Sequence, residues 1–198
     1  MNSTIVVVIV VVAVAAVASV AAAWAIRKRR EQRERQEQAR REYGSEYERA
    51  VEERGSEKEA EKELRERQEK VESGIQPLPE ESRRRYAERW EEVERSFVDD
   101  PAGALDEADR VVAEIMAERN FPTGSREEAS KGLGVVHSDI ADDFRQAQDV
   151  HQEAVGGSNR NDGSGDSDRD GASEGSDLEK MRQAIKEYRS VYERLTRE

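Results

Sequence analysis

Residues 79–98 read PEESRRRYAERWEEVERSFV. Tyr86, Trp90, Val93 and Phe97 recur at i, i+4, i+7 and i+11, and Arg and Glu fill most positions between them. That is the period of one helical face, not the alternation of a strand, so the stretch predicts an amphipathic helix with Trp90 turned inward. Both flanks agree. Upstream, Ser73-Gly74-Ile75-Gln76-Pro77-Leu78-Pro79 ends any helix arriving from the N-terminal side, because glycine and two prolines do not continue one. Downstream, Asp99-Asp100-Pro101 stops one helix and starts another: Asp100 suits an N-cap, and Pro101 suits the first turn, where its missing N–H costs nothing.

The same reasoning extends toward the C-terminus. The next helix runs to about Arg119, with Leu105, Ala108, Val112, Ile115 and Met116 inward; Asn120 suits a left-handed C-cap and Pro122 blocks continuation. Ser125-Arg126-Glu127-Glu128 is a capping-box pattern opening a short helix that ends near Gly132 or Gly134. Residues 138–155 form another helix, with Ile140, Phe144, Ala147 and Ala154 on one stripe. Composition then shifts. Residues 156–177, GGSNRNDGSGDSDRDGASEGSD, hold one apolar side chain, Ala172. Such a segment does not repay its ordering entropy by burial and reads as a disordered acidic linker. The last helix, 178–198, is expected to be capped by Ser176. Leu178, Met181, Ile185, Tyr188, Tyr192 and Leu195 alternate by three and four along it. This heptad seam is too short for a persuasive coiled coil and is expected to pack into the same domain.

Toward the N-terminus, residues 43–72 are weakly amphipathic, with Tyr43, Tyr47, Ala50 and Val51 on one face. Gly55-Ser56 interrupts them, Ser56-x-x-Glu59 is a candidate capping box, and Ala60, Leu64 and Val71 carry a sparse face onward. Residues 27–42, RKRREQRERQEQARRE, have Ala39 as their one apolar side chain. Pairs at i, i+4 such as Glu31/Arg35, Arg33/Glu37 and Glu37/Arg41 suit a solvated helical stalk, each worth about 0.2–0.5 kcal/mol. With no apolar a/d seam, a coiled coil here is disfavoured.

Residues 5–26 are 22 in number and uncharged, with Ser19 the only polar side chain. As a helix they reach about 33 Å, enough for a hydrocarbon core of about 30 Å. Arg27-Lys28-Arg29-Arg30 follow directly, and the positive-inside rule keeps such a cluster cytoplasmic. The expected topology is N-terminus out and residues 27–198 in, with Trp24 in the interfacial aromatic belt. Met1-Asn2-Ser3-Thr4 lacks the basic n-region of a secretory signal, and the apolar run exceeds the usual h-region. Ala21-Ala22-Ala23 nevertheless resembles a cleavage site, so a cleaved signal stays as the alternative. Ala15, Ser19 and Ala23 form a small-xxx-small face on which two spans can self-associate.

Composition narrows the function classes. Charged residues make up 39% of the chain and aromatic residues 5%, and there is no cysteine. Disulfides, thiolate metal sites and cysteine nucleophiles are thereby removed. The net charge of −12 disfavours nucleic acid, which needs a basic surface. The juxtamembrane cluster suits anionic lipid headgroups instead, at about 1 kcal/mol per basic residue.

Tyr43-Gly44-x-Glu46-Tyr47-x-Arg49-Ala50-Val51, then Arg85-Tyr86-x-x-x-Trp90-x-x-Val93-x-x-x-Phe97-Val98-Asp99-x-Pro101, then Ala108-Asp109 with Val111-Val112 and Met116-x-x-Arg119-x-x-Pro122, resemble an uncharacterised family of small proteins of high-GC Gram-positive bacteria. Those proteins look like single-span, Arg/Glu-rich helical membrane or secreted domains. The resemblance covers about residues 43–153 and 178–198 and lies in caps and core positions, so it implies a fold and no reaction.

Little of the chemistry-bearing inventory converges. His137 and His151 lie fourteen residues apart, about 20 Å along one helix, too far to share a metal, and each reads as a surface or helix-end residue. The sharpest pattern is Asp166-x-Asp168-x-Asp170-Gly171 with Asp177 at the twelfth position, most of a calcium-loop signature. It departs from that signature in Asp177 for the usual Glu, in Ser173 at an apolar place, and in having no entering helix. An acidic linker is the favoured reading of these residues.

Taken together, the sequence predicts an all-α protein: a transmembrane helix at 5–26 after a short tail at 1–4, a charged stalk at 27–42, and a helical domain over 43–155 that forms, with the last helix, an irregular bundle of four to five helices. The linker 156–177 and the last helix, 178–198, complete that domain. Short connections at 99–100 and 120–125 favour antiparallel neighbours. The function expected is that of a non-enzymatic, single-pass, membrane-anchored interaction or scaffolding module facing the cytoplasm. Its expected partners are the lipid bilayer and a protein, without cofactor, nucleic acid or small-molecule substrate. The alternative is an envelope or secreted helical protein with a weak calcium loop at 166–177.

Overall fold

The computed structural model describes residues 23, 24, 26–31, 33–158 and 170–197, and the chain divides into two units, residues 1–42 and 43–198. All the described residues of the first unit are helical. Lys28 Nζ sits 5.1 Å above the Trp24 ring, and Arg27 Nε lies 3.4 Å from Glu31 one turn on. Among the described residues no helix is long and apolar enough to cross a membrane. The expected span 5–26 lies, but for Ala23, Trp24 and Ile26, outside them.

The described part of the second unit is built of helices and their connecting loops, without strands. Its helices are α1 (Ser45–Arg54), α2 (Glu57–Glu72), α3 (Glu80–Ser96), α4 (Pro101–Glu118), α5 (Arg126–Val136), α6 (Ser138–Ser158) and α7 (Asp170–Arg197). These seven exceed the expected four to five. The break between α1 and α2 falls where the sequence predicts it: Gly55, with φ of +67°, puts a left-handed cap on α1 and lets α2 fold back on it. Ser56 precedes α2 as its N-cap but makes no side-chain cap hydrogen bond, so the expected capping box does not form. Three other caps, at Asp100, Ser125 and Asn120, are as the sequence predicts. Asp100 accepts from Gly103 N at 2.9 Å, Ser125 Oγ accepts from Glu128 N at 3.1 Å, and Asn120 takes φ +66° after α4.

The helices neighbour one another in the order α3, α4, α7, α6, α5, α2, α1, with α4 also touching α6, and α1 touching α5 and α6. Helices α3 and α4 run antiparallel: Ser82 and Arg85 near the start of α3 reach Glu118 at the end of α4. The expectation of similar pairing across 120–125 is corrected. Helix α5 packs on α6 and α2, and the slot beside α4 is taken by α7. Every residue expected inward on α4 is fully buried, together with Val111.

Helix α7 fills the groove between α4 and α6. Ala184, Tyr188, Val191 and Leu195 are completely buried there. This face is rotated from the expected seam: Met181, Ile185 and Tyr192 are half-buried, and Leu178 is 39% exposed. A helix contacted on two sides buries a stripe wider than a single heptad seam. Helix α7 also begins eight residues before the expected start, so 170–177 are helix, and Ser176 lies inside it instead of capping it. Extending a helix already nucleated costs little, and Lys180 Nζ, 3.5 Å from Asp177, supports the added turns.

Trp90 is 4% exposed and stacks on Tyr192 of α7, with ring centroids 4.7 Å apart at 12°. Its indole N–H donates to Glu94 at 3.0 Å. The stack joins α3 to α7. Trp90→Ala is expected to cost about 3–5 kcal/mol, read by denaturant unfolding of the full chain in detergent micelles. Glu187 of α7 is buried, and its Oε2 has no hydrogen-bond partner. Burial, aided by the negative charge of Asp143 on α6, pushes its pKa above the ordinary value. The folded state thus holds this proton more tightly than the unfolded state, and the group destabilises the fold as pH rises above the usual carboxylate range. Glu187→Gln is expected to raise Tm at pH 7, with the gain shrinking toward pH 4 in thermal melts of both proteins.

Candidate functional site

Three helices meet around one buried carboxylate. Glu46, in the first turn of α1, is 2% exposed. Arg145 of α6 donates to it at 2.6 Å, Arg49 one turn along α1 lies at 3.2 Å, and Arg67 of α2 at 3.8 Å. A buried carboxylate persists as an anion only when paired and hydrogen-bonded, and three guanidinium groups from three helices provide this. Arg145 also donates to Ser45 Oγ and Asp142 at 2.8 and 2.7 Å, so α1 is pinned to α6 by one side chain.

Beside this cluster opens a cleft of about 330 Å³. Helix α1 contributes Glu46, Arg49 and Glu53; α5 contributes Arg126, Glu127, Ser130 and Lys131; α6 contributes Arg145, Gln148, Asp149 and Gln152. Lys131 Nζ lies 2.9 Å from Glu53 and 2.7 Å from Glu127. Burial works against its ammonium charge, but the hydrogen bonds to Glu127 and Glu53 outweigh it and hold the pKa above the ordinary lysine value. The cleft is thus walled by ion pairs from helices far apart in sequence. The wall thus presents both signs of charge in fixed places.

Behind the cleft lies a second polar group. His151 of α6 has its Nε2 3.2 Å from Asp106 of α4 and its Nδ1 3.5 Å from Arg126 Nη2 of α5. Tyr188 of α7, fully buried, donates its hydroxyl to Asp109 at 2.6 Å, and burial pushes the pKa of that phenol far up. Four helices are joined through this network. His137 ends α5, as expected of a helix-end residue, whereas the expectation is corrected for His151, which lies within α6; both are buried. They sit fourteen residues apart on separate partners, His137 beside Arg194 and His151 beside Asp106.

Among the calcium candidates, Asp166 and Asp168 lie outside the described residues. Asp170 starts α7, and Asp177 is exposed on α7 and pairs with Lys180. Positions five to twelve of the pattern run as continuous helix, whereas a calcium loop winds irregularly around the ion through its ninth position. Among the described residues no three His, Asp or Glu side chains converge to hold a metal.

Glu46, Arg145, Arg126, Asp106 and Asp109 were not legible as site residues, because Glu, Asp and Arg are abundant in every segment. One signal was present. Glycine inside a helix costs about 1 kcal/mol against alanine, so Gly132 and Gly134 within α5 mark a close approach. A methyl group on Gly134 would overlap Glu46 Cγ and lie 2.9 Å from its Cδ; one on Gly132 would lie 2.9 Å from Pro122 Cδ.

Compared with protein-family models, curated proteins and solved structures, the chain matches none.

Gly134→Ala tests the clamp on Glu46. Its overpacking cost, typically about 1–3 kcal/mol, should exceed the gain in helix propensity of about 1 kcal/mol, because Glu46 is held by three arginines and does not yield. Gly175→Ala on α7 meets open space and should stabilise by up to about 1 kcal/mol. Opposite signs in denaturant unfolding of the two variants are the expected result.

Proposed function

We propose that this protein is a single-pass, membrane-anchored, non-enzymatic helical module that faces the cytoplasm and binds a protein partner. The observation that carries this reading is the uncharged apolar run 5–26 followed without a gap by Arg27-Lys28-Arg29-Arg30. A run of that length is stable in hydrocarbon only as a helix. The basic cluster directs the remainder of the chain to the cytoplasmic side and is itself drawn to anionic headgroups. The helical course of residues 26–31 and the Lys28–Trp24 contact are in keeping with a span ending in an aromatic and basic interfacial band.

The helical domain behind the anchor supports a binding role in its charged cleft between α1, α5 and α6. Its Lys131–Glu53–Glu127 and Glu46–Arg145–Arg49 groups offer both signs of charge in fixed places. Such a surface discriminates between partners more than it adds raw affinity.

Topology is the deciding measurement. A reporter enzyme active only outside the cytoplasm, fused after Glu198, is expected to be inactive, and the fusion to stay in the membrane fraction after alkaline extraction. Deletion of residues 5–26 should move it to the soluble fraction. An active reporter would overturn the cytoplasmic assignment and leave an envelope or secreted protein.

A further inference from the structure

We propose that His151 is a proton-operated latch on Arg126: neutral, it seats the guanidinium against α6, and protonated, it releases that guanidinium into the cleft. The side chain of His151 is 7% exposed. Arg126 approaches its Nδ1 at 3.5 Å, and Asp106 its Nε2 at 3.2 Å. A guanidinium has only donors, so Nδ1 must offer its lone pair and the single proton must lie on Nε2, facing the Asp106 carboxylate. The neutral Nε2–H tautomer satisfies both contacts at once. The imidazolium carries a proton on each nitrogen, and its Nδ1–H would meet an Arg126 N–H, donor against donor and cation against cation.

An alternative seat for that new proton is already in place. Asp109 Oδ2 lies 3.9 Å from Nδ1, while Oδ1 of the same carboxylate is held by the Tyr188 hydroxyl at 2.6 Å. A small turn of the ring exchanges Arg126 for Asp109. What remains to hold Arg126 is a 3.3 Å hydrogen bond to the Gln148 carbonyl, since no carboxylate lies within 4 Å of its guanidinium among the described residues.

The surroundings favour a switch over a simple loss of charge. Helix α4 presents Asp106, itself held by Arg110 at 2.5 Å, and Asp109; α5 presents Arg126; α7 presents Tyr188. On α6 the nearest charged neighbours in sequence are Asp149 and Glu153. Helix α1 meets α6 around Asp142 and Arg145, nearly two turns away. The imidazolium therefore has two carboxylates to accept it, and Arg126 is the group displaced. The cleft's other cations, Arg49, Lys131 and Arg145, are already paired. Protonation thus frees the Arg126 guanidinium, which already lines the cleft without a carboxylate partner, from its seat on the imidazole and loosens the start of α5 from α6.

The test is nitrogen NMR on the full chain in detergent micelles between pH 5 and 8, following the His151 imidazole and the Arg126 Nε–H together. The expected result is one shared midpoint. The Arg126 shift should vanish in His151→Gln and persist in His137→Gln. Asp109→Asn, which preserves an acceptor for Tyr188, should lower the midpoint by about one unit and serves if His151→Gln fails to fold. An Arg126 signal that stays fixed while His151 titrates, a pH-dependent shift that survives His151→Gln, an unmoved midpoint in Asp109→Asn, or a His151 silent over this range would each overturn the latch.

Discussion

The placement of α7 in the groove between α4 and α6 is the contact on which the rest of the bundle depends. Four side chains at zero exposure, Ala184, Tyr188, Val191 and Leu195, close the core there, and Tyr192 on the flank supplies the stacking partner of Trp90. Without α7, the faces that α4 and α6 turn toward it would meet water. Burying a large apolar side chain is worth about 1.5–3 kcal/mol, so a chain with only 5% aromatic residues draws much of its stability from this one helix. The end of α7 is secured by polar means. Arg119, 3% exposed, donates to the Leu195 carbonyl at 2.9 Å and reaches back to the Gln76 carbonyl at 3.3 Å. One guanidinium thus joins the end of α4, the loop before α3 and the last turn of α7.

A chain that is 39% charged does not cover its core with apolar residues alone, and the bundle buries charge in two different ways. Glu46 is enclosed by arginines from its own helix, α2 and α6, and deleting one partner of such a cluster is far costlier than the cluster's net contribution. Glu187 is enclosed with Gln183 as its hydrogen-bond partner and a like charge, Asp143, nearby. The first arrangement specifies which helices meet. The second spends stability at the α6–α7 contact, so that this contact tightens as pH falls.

The helical class, and the faces of α3, α4 and α6, were legible because their apolar residues recur at helical spacing and their ends carry residues with one structural use. Asp100, Ser125 and Asn120 cap as their chemistry dictates. The face of α7 was only half legible, since Tyr188 and Leu195 lie on both the expected and the observed stripe while Leu178 does not. Periodicity reports one buried face and is blind to a helix enclosed on two sides. Helix order was less legible still: α5 follows α4 after a short loop, yet lies against α2 and α6. Nothing local in 120–125 encodes that choice, which rests on α7 arriving from the far end of the chain to occupy the place beside α4.

The site was hidden for a related reason. In a sequence this rich in Glu and Arg, a buried carboxylate has no compositional contrast, and Glu46 looks like Glu48. What separates them is a neighbour without a side chain. Gly134 lets α5 come close enough that Glu46 is covered and its charge must be answered from within. The backbone approach therefore comes first, the burial of the carboxylate follows, and the arginine cluster is its electrostatic consequence. The cleft beside it inherits its pattern of charges from that order of causes: cations placed to answer Glu46, and further anions placed to answer Lys131. Arg126 stands outside this scheme, since an imidazole and not a carboxylate holds it.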